Sequence, residues 1–256
     1  MFSRAIVRPP GPNFAQGLSS SGLLAPEFPL ALDQHRAYRA ALAAAGVALV
    51  ELAADPDHPD APFVEDTALL TPRGAVITRP GAPSRQGEVA AVAAALARYY
   101  DALPRIEAPG TLDAGDVCQV EDRFLIGISY RTNHEGARQL AQHLAALGYR
   151  AENVDIRNQP ELLHLKSGLS YLGDGVVVST RALAGHAALA SCRVLAADPD
   201  EAYAANCVRV NDVVLFPAGH PKLQRALEGE RFHVVPLEMS EFRKMDGGLS
   251  CLSLRF

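Results

Sequence analysis

Apolar residues recur along this chain with two different periods. Four stretches space them three and four apart, which predicts helices with one buried face: "DQHRAYRAALAAAG", "GEVAAVAAALARYY" from Gly87, "NHEGARQLAQHLAALG" from Asn133 and "HPKLQRALEG" from His220. Between them lie "GVALVELA", "TALLT", "AVITRP", "FLIGIS", "GVVVST", "CVRV" and "DVVLFP", short runs bounded by Gly, Pro, Asp or Asn that predict strands. Helices and strands alternate throughout, so the fold class is α/β.

The alternation also repeats. "EDTALLTPRGAVITRPGAPSRQGEVAAVAAAL" and "GDVCQVEDRFLIGISYRTNHEGARQLAQHL" share one order: acidic residue, strand, turn, strand, Arg-bearing loop, helix. Asp66 then falls on Asp116 and Arg85 on Arg131. A third unit begins at "HLKSGLSYLGDGVVVSTRALAGHAAL" and a fourth at "ANCVRVNDVVLFPAGHPKLQRAL"; "GGLSCLSLRF" joined to "FSRAIVRPP" makes a fifth from the two chain ends. The leading polar residues are spaced by roughly 40 to 50 positions, the scale of propeller-like arrays. A ring of such units predicts that Asp66, Asp116, the stretch from His164 to Lys166, Asn206 and Cys251 start strands that face one central cavity, because unpartnered polar groups in an apolar core are costly. No linker divides the chain, which predicts one catalytic domain over residues 1–256.

Composition narrows the partners. The 256 residues are 48% hydrophobic and 21% charged, ordinary for a globular protein, and the net charge of -5 with scattered Lys and Arg leaves no tract for a phosphate backbone. Nucleic acid is therefore excluded as a partner. No run approaches the roughly 20 apolar residues a bilayer needs, and "MFSRAIVRPPGPNF" has no signal-peptide core, so no membrane role and a cytoplasmic location are expected. Cys118, Cys192, Cys207 and Cys251 form neither a disulfide framework nor a Cys/His ligand pattern, which predicts free thiols and no metal site.

Three clusters carry candidate chemistry. "DAPFVED" packs Asp60, Glu65 and Asp66 ahead of a buried run, and inward carboxylates call for a cation. "TLDAGDV" places Gly115, which allows close backbone approach, before Asp116, and it also reads as a plain turn. "LLHLKSGLSYLGDG" carries His164 among leucines, where a hydrogen-bonded core histidine is the competing reading. The repeat register brings His164 and Cys251 to one cavity, the ingredients of an activated thiol. Carboxylates suit a planar guanidinium above other common groups, which points to an arginine-like substrate, with Arg85 and Arg131 left to hold its carboxylate.

"PFVEDTALL", "ITRPGAPSRQGEV", "TLDAGDV", "SYRTNHEGA", "HLKS", "AANC" and "MDGGLSCLS" run in the order found in the dimethylarginine dimethylaminohydrolases, which the chain resembles over most of its length. That family lies within the guanidino-modifying pentein enzymes. The resemblance implies a five-bladed β/α propeller and hydrolysis of asymmetric dimethylarginine or monomethylarginine to citrulline and a methylamine, with no cofactor. It implies Cys251 as nucleophile, His164 as general acid/base and Asp116 as the acidic partner. For substrate binding it implies Leu18, Asp60, Glu65, Asp66, Arg85, Arg131, Met245 and Asp246. Leu252 stands where some relatives carry a second cysteine. A deiminase of arginine or another guanidine stays open as an alternative, as does a non-catalytic binding module; a cysteine peptidase leaves the acidic cluster unexplained. A homodimer is compatible with the sequence, and "GLSSSG" from Gly17 is the candidate lid.

Overall fold

The inner strands of this protein are short because each must fit within one wedge of a ring. In the computed structural model, which describes residues 1–256, five small sheets surround a common axis. The first is closed by both chain ends: β1 (Arg4–Val7) pairs parallel with β2 (Ala48–Glu51) across helix α1 (Phe28–Ala44), and antiparallel with the final strand β14 (Leu254–Arg255). The fifth unit expected from the two ends is therefore real. Phe256 seals it, accepting from the N–H groups of Ser3 and Arg4 and packing its ring against Tyr99 at 5.1 Å.

The other sheets follow the same plan of inner strand, antiparallel middle strand, helix and parallel outer strand. β3 (Ala68–Thr71) and β4 (Gly74–Ile77) precede α2 (Val89–Leu96). β5 (Val117–Val120) and β6 (Arg123–Ile128) are joined through α3 (His134–Ala146) to β7 (Arg150–Asp155). β8 (Leu169–Gly173) and β9 (Val176–Thr180) lead through the short α4 (Arg181–Ala184) to β10 (Arg193–Ala197). β11 (Val208–Val210) and β12 (Val213–Pro217) lead through α5 (Pro221–Gly229) to β13 (His233–Leu237), and α6 (Ser240–Arg243) follows.

Only the β3–β4 sheet lacks a full third strand, and its sequence says why. Ile77 donates to the Pro104 carbonyl and accepts from Ile106, which is one parallel rung. The next rung needs an N–H from residue 104, and proline has none.

Five apolar clusters fill the spaces around the ring in place of one central core. The middle strands are buried almost throughout, as in Phe124–Ile128 and Val176–Thr180, while β7 buries only Val154. The axis is left to polar side chains. No helix is long and apolar enough to cross a membrane.

Candidate active site

Each inner strand is preceded by a tight 3-10 turn: Val64–Thr67, Ala114–Asp116, Leu165–Ser167, Pro199–Ala205 and Ser250–Leu252. The polar residues expected at strand starts sit in or beside these turns, so Cys251 lies on a turn before β14 and not on the last strand itself. A turn at three residues per revolution sends neighbouring side chains to different sides of the axis. One side is a narrow pocket of about 30 Å³ whose walls include Leu18, Asp60, Asp66, Arg131, His164 and Cys251. On the other is a separate cavity of about 180 Å³ that includes Glu65, Lys166, Ser250 and Arg255 but neither the thiol nor the imidazole. The smaller space, which holds the Cys251 thiol and the His164 imidazole together, is the candidate site.

Within it, His164 is buried and its Nε2 lies 3.0 Å from Asp113 Oδ2, while its Nδ1 lies 3.9 Å from Asp66 Oδ1. Burial opposes the imidazolium, yet Asp66, Asp116 and Asp113 outweigh it and raise the pKa to about 9, so His164 carries its proton at neutral pH. For Asp113 burial works in the opposite direction, but the imidazolium and Arg85 hold its carboxyl below the ordinary value. Cys251 is buried, and desolvation, with Glu65 and Asp66 adding to it, pushes the thiol up to about 12. The Gly248 N–H donates to its sulfur at 3.5 Å.

Asp66 is held rigidly. Its Oδ2 accepts from Arg85 Nη1 at 2.6 Å and its Oδ1 from the Gly115 N–H at 3.0 Å. Asp60 accepts from the Leu18 N–H through both carboxylate oxygens. At the mouth, Arg131 is half-buried and its Nη1 has no partner. The segment after Gly17 lies across the opening: Ser19 and Ser21 donate to the Lys244 carbonyl, and Ser20 donates to Asp246. The arrangement offers a thiol, a proton donor fixed by a carboxylate, carboxylates for a cation and an unpaired guanidinium for an anion.

The sequence model of the arginine deiminase family matches residues 55–215. The N(G),N(G)-dimethylarginine dimethylaminohydrolase of Pseudomonas aeruginosa is 41% identical over 100% of both chains. The chain belongs to the dimethylarginine dimethylaminohydrolase family. The Streptomyces coelicolor dimethylarginine dimethylaminohydrolase is 36% identical over 98% of this chain and 96% of its own. A solved Pseudomonas aeruginosa structure of this family, a cysteine-to-serine mutant complexed with citrulline, matches with a TM-score of 0.97 over 100% of both chains. The N-terminal domain of ArgZ, at 18% identity, matches with a TM-score of 0.89 over 100% of this chain and 97% of its own, which extends the likeness in fold alone. The five-bladed β/α propeller of the pentein enzymes is thus this chain's fold.

Against the dimethylarginine dimethylaminohydrolase pattern expected from sequence, the structure brings Leu18, Asp60, Asp66, Arg85, Arg131, His164, Met245, Asp246 and Cys251 to one pocket. Three expectations change. Asp116 does not touch His164; its carboxylate accepts from Ser129 Oγ, Thr132 Oγ1 and the Leu165 N–H. The imidazole's partner is Asp113, one turn earlier in the same "TLDAGDV", where the repeat alignment drew attention to Asp116 only. Arg85, expected beside Arg131 for a substrate carboxylate, lines the pocket but is buried, and its donors go to Asp66, Glu88 and the Phe63 carbonyl. Glu65 turns away from the pocket to Lys166, Arg255 and Ser250. Phe63, Leu163 and Gly247 line the pocket unannounced by any sequence signal beyond their neighbours.

Proposed function

We propose that this chain, acting as one catalytic unit over residues 1–256, hydrolyses asymmetric dimethylarginine and monomethylarginine to citrulline and a methylamine through a covalent thiouronium on Cys251. The observation that carries the reading is one pocket in which Cys251 and the Asp113–His164 pair stand beside Asp60 and Asp66, with Arg131 unpaired at the mouth. Support comes from the 41%-identical relative named for this activity and from its complex with citrulline.

The guanidinium sits against Asp66 and Asp60, and Arg131 takes the amino acid's carboxylate. A neutral thiol is the resting state, and the bound cation beside the sulfur favours the thiolate, so the nucleophile forms with substrate in place. The sulfur bonds to the guanidinium carbon while the C–N bond to the methylamine breaks; His164 gives that nitrogen its proton. Neutral His164 then takes one proton from water as its oxygen adds to the same carbon; the C–S bond breaks, and the departing thiolate takes the remaining hydroxyl proton, leaving the ureido product and the resting thiol.

Citrulline release is measured with asymmetric dimethylarginine, monomethylarginine and arginine side by side. Methylated substrates turn over faster if the reading holds, whereas arginine as the favoured substrate replaces it with deimination. Cys251→Ser abolishes release; a rate near wild type removes the covalent step.

A further inference from the structure

The residues next to Cys251 and His164 in sequence form a network behind the pocket. Ser250 precedes Cys251 and donates its Oγ to Glu65 Oε2 at 2.7 Å, while its N–H donates to Asn206 Oδ1 at 2.9 Å. Asn206 Nδ2 donates to the Lys166 carbonyl at 2.8 Å and reaches Ser250 Oγ at 3.2 Å. Glu65 Oε1 pairs with Lys166 Nζ at 2.7 Å and with Arg255 at 3.2 Å. Glu65, Asn206 and Ser250 are each at most 4% exposed, and none of the five lines the substrate pocket. Three of the five turns, the residue that caps a fourth, and β14 thus meet immediately behind Cys251.

We propose that the Glu65–Lys166 pair is a positioning device that fixes the Cys251 turn from behind and sets the field at its sulfur, the two members acting with opposite sign. The proposal rests on Cys251 being the nucleophile. Ser250 ties the turn to Glu65, and Asn206 ties the same turn to the backbone of Lys166, so losing the Glu65 carboxylate releases the turn, whereas losing the Lys166 cation leaves the buried Glu65 with Arg255 alone. The anion of Glu65 raises the thiol pKa and the cation of Lys166 lowers it. The other charged or titratable groups around this sulfur are Asp66 and His164 in front, with Asp60, Asp246, Arg85 and Arg131 further out in the same pocket, Tyr203 to the side and Arg255 behind.

The test is the pH dependence of Cys251 alkylation by iodoacetamide in the free enzyme, read by peptide mass spectrometry for wild type, Lys166→Met, Lys166→Arg and Glu65→Gln. An uncharged reagent reports the thiolate without any substrate contact. Lys166→Met is expected to raise the midpoint and Glu65→Gln to lower it, each by about half a unit or more, while Lys166→Arg restores it. With substrate, Lys166→Met is expected to lower kcat by about 10-fold or more with KM changed less than about threefold. Midpoints that stay put in folded variants, or that move the same way in both, overturn the proposal, as does a loss confined to KM. Should Glu65→Gln fail to fold, the Met and Arg variants at Lys166 decide alone: a rise that Arg reverses supports the proposal, and no rise sinks it. A wild type that makes no citrulline instead refutes the proposed activity and leaves the alkylation result standing.

Discussion

Asp113 and Asp116 lie three residues apart and do different work. Asp113 holds the imidazole, whereas Asp116 gathers two hydroxyls and the Leu165 N–H, joining its turn to the loop after β6 and to the residue after His164. Asp113→Asn keeps the shape but removes the anion, so kcat is expected to fall about 10²- to 10⁴-fold with thermal stability near wild type. The sign of the pH effect follows from the same contact. The proposed mechanism needs protonated His164, so activity is expected to decline above its pKa of about 9, and without the Asp113 charge the alkaline limb of kcat/KM is expected to move to lower pH. Asp116→Ala orphans three donors, at about 1–3 kcal/mol for each that water does not reach, and its main signature is a lower melting temperature. A pH limb that stays in place in Asp113→Asn, or an Asp116→Ala protein as stable as wild type, exchanges or removes these roles.

At the scale of elements, the site is made by the turns, and their packing leaves little room. A Cβ on Gly115 stands 2.6 Å from Asp66 Oδ1 and 2.8 Å from His164 Nδ1. Gly115→Ala therefore displaces the guanidinium carboxylate and the proton donor together, and citrulline assays are expected to show kcat reduced about 10- to 100-fold. Gly185→Ala, with nothing within 4 Å, serves as the control. The middle strands and their helices were legible because β-branched and apolar runs are buried on both faces, as in β9 and β12. Of the outer strands, β2 was legible as "GVALVELA", but "RAENVD" of β7 is almost wholly exposed and its charges give no strand signal, yet it forms a full parallel ladder with β6. α1 also begins at Phe28, earlier than its periodic segment, with Pro29 in its first turn.

On the scale of the whole molecule, a buried histidine outside the site contributes to the loss of stability in acid. His35 on α1 packs near Phe242 of α6, its Nε2 has no partner, and burial with Arg39 lowers its pKa from 6.5 to about 4. The unfolded chain then binds this proton first. Stability is lost as pH falls from about 6.5 to about 4, by about 3 kcal/mol at most, and levels off below that. His35→Leu is expected to flatten this part of the curve in urea unfolding followed from pH 7.5 to 4; an unchanged slope assigns the acid sensitivity elsewhere.

By itself the sequence determined the fivefold repeat, the ring closed by its own ends, and the pairing of Cys251 with His164 beside Asp60 and Asp66, because hydrophobic period and repeat register are local properties that add up along the chain. Tertiary structure decided which side of the axis each polar residue faces. "VED" carries Glu65 and Asp66 in succession, and only the phase of a 3-10 turn sends one behind the pocket to Lys166 and the other into it. The same phase gives the imidazole to Asp113 and withholds it from Asp116, and Arg85 becomes a brace because Asp66 and Glu88 meet it after folding. Such choices depend on a few ångströms of approach between turns distant in sequence, and residue type and spacing do not encode that distance.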